Sequence, residues 1–140
     1  MTRKIEQVRF VADAPKKNRV AAYCRVSSGK DAMLRSLSAQ VSYYSDYIQK
    51  HGWEYAGVYA DEALTGTKDN RENFQRLLAE CRKGTVQMVI TKSISRFTRN
   101  TVDSLTTIRT LKAHGVEVFF EKKNIWTFDS KGELLLTIMS

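Results

Sequence analysis

The chain has 140 residues, enough for one domain that buries roughly 70% of its extended-chain surface. Its 23 Lys and Arg against 15 Asp and Glu leave a net charge of +8, which favours a polyanionic partner, nucleic acid before a membrane surface. No apolar run approaches a membrane span, residues 1–15 lack a signal-peptide core, and Cys24 and Cys81 have no metal-ligand spacing; the expectation is a cytoplasmic protein with reduced thiols. Residues 1–18 read as a basic arm ending in Ala14-Pro15-Lys16-Lys17-Asn18, and 19–140 as the domain proper. Arg19 to Val26 is short, apolar and β-prone, then breaks into Ser27-Ser28-Gly29, as a buried strand does on reaching the mouth of a sheet. A helix is predicted from about Ser36 to His51, with Leu37, Val41, Tyr44 and Ile48 at helical spacing and Gly52 as its stop. Trp53 to Asp61 reads as a second strand and Glu62 to Asn70 as a polar loop. A second helix opens near Asp69 or Asn70, where Asp69-x-x-Glu72 resembles a capping box, and closes at Gly84 with Phe74, Leu77 and Leu78 inward. Val86 to Thr91 is a third strand that feeds directly into Lys92-Ser93-Ile94-Ser95-Arg96-Phe97-Thr98-Arg99-Asn100. A third helix follows, with Leu105, Ile108 and Leu111 on its core face and Gly115 at its end. Val116 to Phe120 is a fourth strand, Asn124 to Lys131 turns, and Gly132 to Ser140 begins another helix. Strands alternating with helices predict an α/β fold: a mostly parallel central sheet of four to five strands with helices on both faces.

In such sheets functional groups gather outside the carboxyl ends of the strands. Three strand ends place Arg25 with Ser27, Asp61, and the segment from Ser93 to Arg99 along one rim. Arg96 and Arg99 are three apart, so a helical turn sets both guanidiniums on one side, and Arg71 can point to the same rim. Several arginines around one hydroxyl suit phosphoryl transfer without a metal. Their planar forks bind nonbridging oxygens in pairs and stabilise charge that develops in the transition state. Any one of these arginines, taken alone, is better explained as a solvated surface residue with acidic neighbours; four together at strand ends and helix starts are not.

These motifs, in this order, resemble the catalytic domain of serine recombinases, the resolvase/invertase and large serine integrase group. Tyr23-Cys24-Arg25-Val26-Ser27-Ser28 is similar to that family's Tyr-x-Arg-Val-Ser-Thr, with Ser28 in place of Thr. Leu37-Ser38-Ala39-Gln40 matches the start of its first helix, Tyr59-Ala60-Asp61-Glu62 its Asp-containing strand, and Asn70-Arg71 its Asp/Asn-Arg pair. Ser95-Arg96-Phe97-Thr98-Arg99-Asn100 resembles its arginine signature, and Gly132 to Ser140 the entry to its long interface helix. The resemblance implies a resolvase-like fold and a Ser27 nucleophile that cleaves and rejoins DNA through a 5′-phosphoseryl intermediate. It implies Arg25, Arg71, Arg96 and Arg99 around the scissile phosphate, with Asp61 and Gln40 orienting the arginines or the serine, and Lys92 and Ser95 as further DNA contacts. Double-stranded DNA is the implied partner, with self-association to dimers and tetramers in a longer protein, and no metal or other cofactor. No histidine lies near the serine, since His51 and His114 both precede helix-ending glycines, so the group that takes the proton stays open.

Two other readings compete. Ser27-Ser28-Gly29-Lys30 in a flavodoxin-like module can cradle a small phosphate or nucleotide with backbone N–H groups, although the chain has neither Gly-x-x-x-x-Gly-Lys-Ser/Thr nor Gly-x-Gly-x-x-Gly. A non-enzymatic DNA-binding or oligomerising domain would satisfy the charge alone.

Overall fold

The computed structural model describes residues 18–63, 71–97 and 101–139. Its elements in chain order are β1 (Arg19–Val26), α1 (Lys30–Lys50), β2 (Glu54–Glu62), α2 (Glu72–Lys83), β3 (Met88–Thr91), α3 (Ile94–Phe97), α4 (Thr101–Ala113), β4 (Glu117–Phe120), a 3-10 turn (Glu121–Lys123), β5 (Ile125–Trp126) and α5 (Ser130–Met139). The expected arm over 1–18, apart from Asn18, lies outside the described residues, as do Asp69, Asn70 and Arg99.

Five strands form one sheet in the order β2-β1-β3-β4-β5, parallel except for the β4–β5 pair. The expected α/β architecture is therefore present. The chain winds outward from β1 to β2, then returns past β1 to β3 and on to β4. Right-handed crossovers in opposite directions put helices on opposite faces. Helix α1 covers one face, where Tyr44 and Ile48 pack on Val20, Ala22, Cys24 and Val26. Helices α2, α4 and α5 cover the other, packing Phe74, Leu77, Ile108, Leu111 and Leu136 around Ala21, Tyr23 and Val118. The reversal of winding falls between β1 and β3, and the crevice at their carboxyl ends is where doubly wound sheets bind ligands.

Several boundaries differ from the sequence reading. Helix α1 begins at Lys30, about a turn and a half before Ser36. Gly29-Lys30-Asp31 has the look of a polar loop, but Asp31 sits favourably in the first turn, Met33 N–H bonds to the Gly29 carbonyl at 2.7 Å, and Met33 reaches the core. Residues 125–126, expected within a turn, form β5 against Phe119 and Phe120. Two residues are too few to show a period. Strand β3 starts at Met88, two residues later than expected, because Gln87 pairs outside the ladder with Arg19 and Glu117.

One irregularity of β2 matters for the site. Val20 pairs with Tyr55 and Ala22 with Val58, so β2 carries an extra residue opposite Ala21. Gly57 occupies this bulge with φ +106°, a backbone state that costs side-chain-bearing residues on the order of 1–3 kcal/mol. Before the bulge Tyr55 faces α1 and Ala56 faces α2; after it Val58 and Ala60 face α1. A bulge resets the alternation by one. Asp61, which strict alternation from Tyr55 would aim at α1, is turned toward Tyr23 and α2.

Candidate active site

Strand β1 ends at Val26 and leaves Ser27 exposed at the crevice. Ser27, Arg25, Gln40, Lys92 and Arg96 line one cleft of about 230 Å³, together with Ser36 and the end of β1. Three of these come from the two strand ends that flank the reversal of winding and one from α3 just beyond it. Gln40 arrives from α1 and donates to the Arg25 carbonyl at 3.2 Å, which fixes the backbone two residues before Ser27. Among the described residues Arg96 has no side-chain hydrogen bond or ion pair, and its charge reaches the end of β1. Burial pushes the Cys24 thiol up to about 12, the Asp61 carboxylate adds to the rise, and Arg96 opposes it.

The two adjacent serines differ. The Ser28 hydroxyl donates to Glu62 Oε1 at 3.1 Å, whereas the Ser27 hydroxyl has no partner among the described residues and borders the cleft. Ser95 is exposed with its hydroxyl 3.0 Å from that of Ser93, and it is not on the cleft wall. Arg99 lies outside the described residues.

Asp61 and Arg71 come together behind the cleft through Tyr23. The Tyr23 hydroxyl donates to Asp61 Oδ2 at 2.8 Å and accepts from Arg71 Nε at 3.4 Å. Burial above all drives this phenol's pKa upward; Arg71 opposes the rise and Asp61 adds to it. The phenol therefore stays protonated and can donate and accept at once. The same carboxylate accepts the backbone N–H groups of Asn73 at 3.0 Å and Phe74 at 2.9 Å. It thus caps α2 from a neighbouring strand, the task assigned in sequence to Asp69, and does so beside a helix end whose partial positive charge favours it. Arg71 precedes α2, lies over the Phe74 ring at 3.8 Å and donates to the Phe97 carbonyl. Arg71, Tyr23, Asp61 and the first turn of α2 form a closed clasp. Tyr23 is the residue that sequence reasoning missed; its hydroxyl, within the buried run Val20–Cys24, was the available signal.

Among the described residues no group of three His, Cys, Asp or Glu side chains comes together. The positive charge of the cleft is supplied by Arg25, Lys92 and Arg96. The cleft is lined by a serine hydroxyl and by cationic side chains, a combination chemically suited to an anion such as a phosphate.

The family model "Resolvase, N terminal domain" matches residues 20–140. The chain belongs to the resolvase N-terminal domain family. Within this family, a resolvase of Clostridium perfringens is 30% identical over 125 residues, which cover 86% of this chain and 60% of that protein. The chain thus spans about three fifths of the length of such curated relatives. The N-terminal catalytic domain of TP901-1 integrase superposes with a TM-score of 0.71 at 26% identity, covering 87% of this resolvase-type chain and 91% of that domain. A resolvase family site-specific recombinase from Streptococcus pneumoniae gives a TM-score of 0.71 at 27% identity, covering 88% and 83%. These neighbours share the α/β fold described above, and the family expected from the sequence motifs is the family found.

Proposed function

We propose that the chain is the catalytic domain of a serine-type site-specific DNA recombinase. The observation that carries the reading is the Ser27 hydroxyl at the edge of a cleft that also holds Arg25, Lys92 and Arg96, in a member of the resolvase family. In the proposed reaction Ser27 Oγ attacks a phosphodiester. The serine O–H bond breaks as a bond from that oxygen to phosphorus forms, the bond to the 3′ oxygen breaks, and the 3′ oxygen takes up one proton for the one the serine released, leaving as a 3′ hydroxyl. The serine stays linked to the 5′ phosphate. Attack by a 3′ hydroxyl later reverses the step, so bond energy is kept and no nucleotide cofactor is consumed. Arg25 and Arg96 bind the nonbridging oxygens, Arg99 joins them from the segment after α3, and Ser95 and Lys92 touch neighbouring DNA. Gln40 holds the Arg25 backbone. Asp61 acts through Tyr23 and α2 to position Arg71, a narrower role than direct contact with the serine. Dimers that pair into tetramers, and action on chromosomal or plasmid DNA in the cytoplasm, complete the proposal.

The phosphate-module alternative shares the strand order, since 2-1-3-4-5 is also flavodoxin-like. It is disfavoured by Glu62, whose carboxylate occupies the Ser28 hydroxyl where a small phosphate would sit.

The test is covalent capture. Incubated with a suicide DNA substrate, the protein should form an adduct that survives denaturing electrophoresis, in buffer with EDTA as in buffer with Mg²⁺, because arginines supply the charge stabilisation. Cleavage that stops in EDTA and leaves no adduct points to a metal-dependent nuclease instead.

A further inference from the structure

The nucleophile's cleft does not end at Gln40 and Lys92. Both residues also line a second groove of about 630 Å³, bounded by Tyr43 and Tyr44 of α1 on one side and by Glu121 and Lys122 on the other. The cleft at Ser27, about 230 Å³, is the smaller space, and the groove beside it, about 630 Å³, is open and has room for a larger group. Lys92 and Lys122 stand on adjoining segments, for the Lys122 N–H donates to the Lys92 carbonyl at 2.8 Å. Both are exposed and both line the groove, so the groove carries two cationic side chains from adjoining segments. Tyr43 of α1 lines the same groove and is 52% exposed despite its aromatic ring. The single carboxylate is committed: Glu121 Oε2 accepts from the Tyr43 hydroxyl at 2.6 Å and Oε1 from the Tyr44 hydroxyl at 2.7 Å. It ties α1 to the turn after β4, and both of its oxygens are taken up by phenol hydroxyls.

We propose that this groove holds the nucleotide adjoining the scissile phosphate on the same DNA strand, its phosphodiester on Lys92 and Lys122 and its sugar or base against the Tyr43 ring. The inference rests on the recombinase reading, which places the scissile phosphate in the smaller cleft. Lys92 borders both spaces and sits between the two phosphates. Lys122 is then a positioning residue that sets the strand's register on Ser27. Phosphate contacts fix register and orientation without reading sequence.

Titrating the ¹⁵N-labelled chain with a 12-base-pair duplex at low salt separates the possibilities. The amides of Tyr43 and Lys122 should shift together with those of Ser27 and Gln40. Lys122→Gln should weaken binding severalfold and lower the salt slope by about one, as expected for a lost phosphate contact. Lys123→Gln removes the same charge from the next residue, which does not line the groove, and should weaken binding much less. Single methylphosphonates placed on the 5′ or the 3′ side of the central phosphate show which neighbour the groove takes: only one of them should abolish the difference between Lys122→Gln and the unmodified chain. Shifts at Ser27 and Gln40 without shifts at Tyr43 and Lys122, or equal losses for the two lysine variants, would overturn the groove assignment and leave the recombinase reading standing. No shift at either set up to millimolar duplex would remove both.

Discussion

Ser27 and Ser28 are chemically identical, and their neighbours separate them. Ser28 is engaged by Glu62, while Ser27 stands at the cleft. Ser27→Ala should abolish the covalent adduct with little change in stability, because an exposed hydroxyl at a strand end carries little packing. Ser28→Ala should still form the adduct. Persistence of the adduct in Ser27→Ala and its loss in Ser28→Ala would move the nucleophile by one residue. Arg96 permits a sharper test, since Arg96→Lys keeps the charge and loses the flat two-pronged donor. Removing one preorganised donor costs about 3–4 kcal/mol in the transition state, so single-turnover cleavage should fall by roughly 10²–10³ with folding unchanged. Near-normal cleavage would return Arg96 to the solvated surface. These residues were legible in sequence because the ends of β1 and β3 can be read from apolar runs that break into Ser, Lys and Gly. Position along the chain then implied position on the rim. The Tyr23–Asp61–Arg71 clasp was not legible, because it depends on the face to which Asp61 turns.

At the scale of the element, that face is decided by the Gly57 bulge, which a two-residue period cannot reveal. Its consequence is a helix cap supplied across the fold. In Asp61→Asn the amide can accept at one atom only, so a backbone N–H of Asn73 or Phe74 loses its partner in a buried setting. The expected loss is about 1–3 kcal/mol in urea unfolding. An unchanged midpoint would mean that the first turn of α2 is satisfied without the carboxylate. A second close fit lies at the start of α5. A Cβ on Gly132 would come within 2.2 Å of the Trp126 carbonyl oxygen and 2.6 Å of Thr127 Cα, and both are backbone atoms. Gly132→Ala should therefore cost about 1–3 kcal/mol by displacing α5 from β5, although alanine is the better helix former in isolation. Sequence reading named this glycine as the start of a helix without reaching its reason, which is a contact made across a strand too short to be foreseen.

For the whole molecule, the two core layers make stability depend on alkaline pH. Cys24 and Cys81 are 3% and 1% exposed, and burial raises each thiol from 9.0 to about 12, with the charges of Asp61 and Glu80 adding to the rise and those of Arg96 and Arg82 opposing it. The Tyr23 and Tyr44 phenols are raised above 10.0 as well, first by burial. Each group is neutral when protonated, and the folded state holds its proton more tightly than the unfolded chain does. The sign follows from linkage: the unfolded state loses these protons first, so stability is complete below about pH 9 and falls as pH rises through 9 toward 12. The two thiols lie on opposite faces of the sheet, so their effects should be close to additive. Urea midpoints measured from pH 7 to 11 should be level up to about pH 9 and then decline. The decline should be shallower in Cys24→Ala with Cys81→Ala, compared with the parent over the same range. The thiols should also resist alkylation at pH 8 until denaturant is added, since a buried protonated sulfur is a poor nucleophile. A midpoint that stays level to pH 11, or rapid alkylation of the folded chain, would mean that water reaches both layers of the core.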